Sequence, residues 1–211
     1  MNKYIVEFIG TFFLVIAIGL TGNPLAIGAM LMVMVYMGGT ISGAQYNPAV
    51  TLALLMRGKM KAAESAVYML VQIIGASCAA FFIYLLYHKT FSPADGMDHH
   101  INILKPLAVE MVFTFALALT VLCVATSKKN AANSYFGLAI GFTITASAFA
   151  GGSISGGAFN PAVGIGPTLI DTFFGKGGSM QYLWVYILGP FVGAAVAAIV
   201  YRITNPDEFT A

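Results

Sequence analysis

Ser42-Gly43-Ala44-Gln45-Tyr46-Asn47-Pro48-Ala49-Val50 returns later in the chain as Ser155-Gly156-Gly157-Ala158-Phe159-Asn160-Pro161-Ala162-Val163, identical at six of nine positions. Asn followed by Pro is a helix start: the Asn side chain caps the first turn, and Pro at the first helical position lacks only an N–H that had no partner there. One such phrase would be an ordinary cap in a loop. Two of them, each at the end of an uncharged stretch, define an internal duplication, which reaches upstream to Glu7 and Thr11, mirrored by Glu110 and Thr114.

The surrounding sequence sets the solvent. Of 211 residues, 59% are hydrophobic and 9% charged, against roughly 25% charged in a soluble domain, so the bilayer is the expected environment. The ten Lys and Arg residues form no run that would suit a polyanion, which excludes nucleic acid as a partner. Between Glu7 and Arg57 there is no charged residue, yet a spanning helix needs only about 20 apolar residues. That stretch therefore holds a span from Tyr4 to Leu20, a turn at Thr21-Gly22-Asn23-Pro24, a second span from Leu25 to about Ile41, and a remainder. Asn47 to Met56 is enough for about 15 Å of helix, half of a membrane core. The remainder is predicted to be a half-helix that enters and leaves on one side.

The same arithmetic gives spans at about Ser65–Tyr87 and Ile103–Thr126, a fifth span and a second half-helix within the uncharged Asn130–Ile170, and a sixth span at about Gln181–Ile203. The fold class is thus all-α integral membrane, six transmembrane helices plus two re-entrant half-helices. It forms a single channel domain over 1–211, with a first repeat at 1–95 and a second at 102–211. Three crossings per repeat make the second copy run inverted, with a shared site between the copies. Lys3, Arg57, Lys59, Lys61, Lys128, Lys129 and Arg202 fall on one side and Lys89, Lys105 and Lys176 on the other, which predicts cytoplasmic termini. The half-helix starts, each with about half a positive charge, should meet near the midplane. Irregular backbone before them belongs beside water that hydrates its carbonyls.

These features resemble the aquaporin, or major intrinsic protein, family, with its paired Asn-Pro-Ala motifs, here Asn47-Pro48-Ala49 and Asn160-Pro161-Ala162. The resemblance extends to Glu-Phe-Ile-Gly-Thr at 7 to 11, Gln72 with Gly75, Glu110, Gly166-Pro167 and Gly189-Pro190. It implies that Asn47 and Asn160 donate hydrogen bonds to passing water and interrupt its proton-conducting chain, and that Glu7 and Glu110 accept hydrogen bonds from the half-helix loops. It further implies a homotetramer, and the compact length and short tails lead us to expect a plasma membrane. The resemblance also places an extracellular selectivity filter at Ile27, Ala148, Gly157 and Val163. There the sequence departs from the family. Val163 stands where the family usually has Arg, no large aromatic or His accompanies it, and Gly164 replaces the Asp of glycerol facilitators. Val163, with Ala146 to Gly152 and Gly164 to Pro167, is similar to some plant vacuolar members.

A wide apolar filter predicts passage of water and of small neutral solutes such as glycerol, urea, ammonia or peroxide. Alternatives are a strictly water-selective channel and a coupled secondary transporter, although only Glu7 and Glu110 titrate deep in a span. Catalysis is not expected, since there is no nucleophile, acid–base pair or phosphate loop. No cofactor or metal is expected; His99 and His100 beside Asp95 and Asp98 read as a solvated loop. Cys78 and Cys123 read as small buried hydrophobes, and Gly10, Gly75, Gly141, Gly189 and Gly193 as close helix contacts.

Overall fold

The computed structural model describes residues 1–209. Six of its helices are long and apolar enough to cross a membrane. They are α1 (Asn2–Thr21), α2 (Pro24–Ser42), α4 (Ala62–Tyr87), α5 (Leu104–Val121), α6 (Phe136–Ser155) and α8 (Leu183–Thr204), with the short α3 (Pro48–Met56) and α7 (Pro161–Phe174) between them. Their ends follow from the sequence. Asn23 caps α2 by accepting from the N–H groups of Leu25 and Ala26, and Gly22 and Gly43 close α1 and α2 in the left-handed conformation.

One boundary, one local helix geometry and the burial of two cysteines differ from the sequence reading. Helix α7 runs 14 residues, past Ile170, with Pro167 inside it, whereas α3 has 9. Pro167 removes one helical hydrogen bond but does not stop the helix, which is packed on α4 and α8. The fourth span ends in a π-helical turn, Leu122–Thr126. Cys78 is exposed and Cys123 only partly covered, so neither is the buried hydrophobe expected. In a membrane helix the lipid-facing side is as apolar as the buried one, and composition cannot tell them apart.

The outward faces carry Phe13, Leu25, Leu70, Phe82, Val112, Phe142, Val196 and Ile199, all exposed, a surface that lipid covers and water would not. Inside, α1 packs on α4 as α5 packs on α8, and α2 crosses α6. The half-helices are exchanged: α3 packs chiefly on α8 and α7 chiefly on α4. Each repeat therefore holds the other's short helix. Glycines allow the close approaches. A Cβ on Gly75 would lie 2.6 Å from the Phe8 carbonyl oxygen, and one on Gly193 2.2 Å from that of Met111.

On the face carrying the termini, Glu208 closes a strap. Its Oε2 pairs with Arg57 Nη2 at 2.8 Å, and its Oε1 accepts from Ser127 Oγ at 2.7 Å and the Lys128 N–H at 2.8 Å. The Ser127 hydroxyl, then the Lys128 N–H and the Arg57 guanidinium, hold the Glu208 carboxyl below its ordinary range, against an opposing effect of burial. A group whose folded pKa is depressed stabilises above its unfolded pKa, and that contribution disappears as pH falls through the folded value. The strap is thus expected to hold at pH 6 and to weaken only as pH falls below the ordinary carboxylate range. In detergent, Glu208→Gln should lose stability at pH 6 and show less of the acid-dependent decline; identical pH profiles for variant and wild type would discount the strap.

Candidate functional site

The site is built by two loops that mirror each other in backbone as well as in sequence. Gly43, Ala44 and Tyr46 have φ of 86°, 49° and 51°; Gly156, Gly157 and Phe159 have 88°, 67° and 46°. Positive φ is strained for Ala, Tyr and Phe, and buried carboxylates hold it. Glu7, in α1, accepts from Ser42 Oγ at 2.7 Å and the Gln45 N–H at 3.0 Å on one oxygen. Its other oxygen takes the Tyr46 N–H at 2.7 Å and Gln72 Nε2 at 2.9 Å. Glu110, in α5, accepts from Ser155 Oγ at 2.7 Å and the N–H groups of Ala158 and Phe159 at 3.0 and 2.6 Å. Both carboxylates are fully buried. The Tyr68 and Tyr186 hydroxyls donate to the carbonyls of Ser42 and Ser155 at 2.9 and 2.7 Å, pinning the loop entrances.

From these loops the Asn residues start the half-helices. Asn47 Oδ1 accepts the Ala49 N–H, and Asn160 Oδ1 the Ala162 N–H, each at 2.9 Å. The two amides meet across the repeats: Asn47 Nδ2 donates to the Phe159 carbonyl at 2.9 Å, and Asn160 Nδ2 to the Tyr46 carbonyl at 2.8 Å. The carbonyls immediately before each Asn thus each accept one hydrogen bond from the opposite repeat, a contact the sequence did not announce. Pro48, Pro161, Ala49 and Ala162 are buried behind the two tips.

One cavity of about 460 Å³ brings these residues together. Asn47 and Asn160 line it, as do all four predicted filter positions, Ile27, Ala148, Gly157 and Val163, together with Leu31, Val50, Leu117 and Ile144. At one end it opens among Gly22, Pro24, Phe91, Ser92, Gly96 and Phe149. None of Ile27, Ala148, Gly157 and Val163 carries a polar side chain. Gly157 cannot be enlarged freely: at its φ of 67° a Cβ would lie 3.2 Å from Gly152 Cα.

Sequence reasoning missed the supporting partners Ser42, Ser155, Tyr68, Tyr186 and the link from Gln72 to Thr51, whose Oγ1 accepts at 3.1 Å. The duplicated Ser was a usable signal, since a hydroxyl repeated ahead of each motif suits a buried acceptor. His99 packs on Tyr182, ring centroids 4.9 Å apart, and no cluster of three metal-ligating residues exists among the described residues.

An inverted pair of half-helices meeting on one cavity inside a six-span bundle defines a membrane channel. The profile of the family described as Major intrinsic protein matches residues 1–201. The chain is 35% identical to the glycerol uptake facilitator protein-like 6 of Lactiplantibacillus plantarum, over 99% of this chain and 100% of that one. It is 34% identical to the aquaporin NIP1-4 of Oryza sativa subsp. japonica, over 96% of this chain and 77% of the relative. The solved aquaglyceroporin of Plasmodium falciparum shares the fold, with a TM-score of 0.81 at 23% identity, covering 100% of this chain and 99% of that one. The chain belongs to the major intrinsic protein family. It is a passive membrane channel and not an enzyme.

Proposed function

We propose that this channel conducts water and at least one larger neutral solute, such as glycerol, urea, ammonia or peroxide, through an outer constriction formed by Ile27, Ala148, Gly157 and Val163. The observation that carries the reading is that these four residues share one cavity with Asn47 and Asn160 and bring to it no charge and no polar side chain. The two amides, capped on one side and tied to the opposite repeat on the other, each keep one N–H for the solute, and the half-helix dipoles behind them repel cations. Glu7 and Glu110 serve as scaffolds for the loops. The chain acts as one domain of two repeats, 1–95 and 102–211, and assembles as a homotetramer with one pore per subunit. Seven basic residues against three support a plasma-membrane orientation with both termini cytoplasmic. A coupled transporter would need an ion site, and the deep carboxylates are already occupied by loop donors.

Val163→Arg tests the constriction. A long cation in an apolar neck is expected to lower urea and glycerol uptake into proteoliposomes at least about tenfold, the cost of roughly 1.4 kcal/mol in the crossing barrier, while water flux falls less. Unchanged urea and glycerol uptake by a folded, water-conducting variant would remove these residues from the pathway.

A further inference from the structure

Polar selection in this passage needs a hydrogen-bonding side chain, and the outer constriction supplies none. Asn47 and Asn160 have their oxygens engaged by helix N–H groups, so they offer donors only. Tyr46 has its hydroxyl committed to the Met34 carbonyl. Ser92 and Ser153 also border the cavity, but in the loop after α4 and near the end of α6, at the outer mouth. Gln45 is different. It lies two residues before Asn47, lines the same cavity, and is only 6% exposed. Its mirror position in the second repeat is Ala158, so the duplication did not require an amide here.

The Gln45 amide is poorly matched by the protein. Nε2 donates to Met60 Sδ at 3.0 Å, a weak acceptor, and Oε1 is buried without a donor among the described residues. Reversing the amide exchanges the two ends but still leaves one strong polar group facing only sulfur. An amide end in that condition gains by turning toward a stronger partner, and the cavity that Gln45 lines is where a polar solute can supply one. Met60 follows α3 on the side of the termini, so Gln45 stands beyond the paired Asn residues from the outer mouth.

We infer that Gln45 is the polar checkpoint of this channel, the side chain whose amide favours hydrogen-bonding solutes of the urea and polyol class once they have passed the bare outer constriction. This rests on the channel reading above. The order of events is reversed from a pore with a charged neck: size is sorted at the outer mouth, hydrogen-bonding capacity farther in. Met60 holds the amide beside the passage and gives it up readily, because sulfur competes weakly with a solute oxygen for the Nε2 donor.

The test is the urea-to-water permeability ratio in proteoliposomes carrying wild type or Gln45→Met, which keeps the length of the side chain and removes the amide. The ratio is expected to fall about fivefold to tenfold, the size of one lost hydrogen bond, with water flux changed less than about twofold. A ratio that stays level, or rises because Gln45 merely plugs the passage, would overturn the inference. If the Met variant does not conduct water, Gln45→Asn and Gln45→Ala decide: the inference requires Asn to keep more of the ratio than Ala, and equal ratios, or a higher one in Ala, would defeat it. The channel reading fails separately, by absence of water flux in the wild type, and the constriction fails by indifference to Val163→Arg.

Discussion

Glu7→Leu is expected to destroy conduction and folding together. The change strands four donors, from Ser42, Gln45, Tyr46 and Gln72, in a site with no exposure to solvent. Each unmade buried hydrogen bond costs about 1–3 kcal/mol, so the sum is on the order of 5 kcal/mol, with the positive φ of Ala44 and Tyr46 left unsupported as well. Removing the carboxylate also removes its own desolvation cost, but an ionic group is replaced without loss only when its partners are replaced too, and here two of the four are backbone. The matching Glu110→Leu strands three donors and should be somewhat milder. Gln at either place should be milder still, because a reoriented Ser hydroxyl can accept from the new amide and a single backbone N–H is left facing it. Thermal unfolding in detergent and water flux of the four variants check the order. A Glu7→Leu protein that melts and conducts like the wild type would show that the loop is held by something other than this carboxylate.

The architecture was legible because charge-free length is a strong constraint in a membrane. No charge from Phe8 to Met56 cannot be one span, and the remainder after two spans had to start at Asn47, where the structure begins α3 at the next residue. The repeated phrase likewise fixed both helix starts. Cross-repeat contacts were not legible in the same way. An Asn-Pro pair announces a cap, which is a local hydrogen bond, but the Nδ2 bonds to Phe159 and Tyr46 span 112 and 114 residues and exist only once the repeats are interlocked. The length of α7 was hidden by Asp171, whose charge ended the uncharged stretch at Ile170, although the helix continues to Phe174 and the Asp171 carboxylate is met by the Thr90 and Ser179 hydroxyls. The exposure of Cys78 was hidden for the opposite reason. Lipid and protein interior are equally apolar, so neither face of α4 is marked.

Gly28→Val is expected to be the most damaging change that removes no hydrogen-bonding side chain. Where α2 crosses α6, a Cβ on Gly28 would lie 1.9 Å from Thr145 Oγ1 and 2.5 Å from the Gly141 carbonyl oxygen, and a Cβ on Gly141 would in turn lie 2.5 Å from the Gly28 carbonyl oxygen. The Thr145 hydroxyl can turn away; the backbone of Gly141 cannot without moving α6. Lipid gives no hydrophobic drive to hold two separated helices, so close packing is the main attraction lost when small residues go. Overpacking a tight contact costs about 1–3 kcal/mol when neighbours adjust, and here the two contacts face each other, so the expected effect is at or above the top of that range. The displaced segments also carry Ile27, Ile144 and Ala148, which line the cavity. Conduction should therefore fall with stability, with the detergent melting temperature lower by about 10 °C if each kcal/mol moves a chain of this size by roughly 2–4 °C. Gly178→Ala, where a Cβ meets nothing within 4 Å, is the matched control and should behave as wild type. Equal melting temperatures for the two variants would mean that α2 and α6 are not held at the spacing that gives the outer half of the cavity its width.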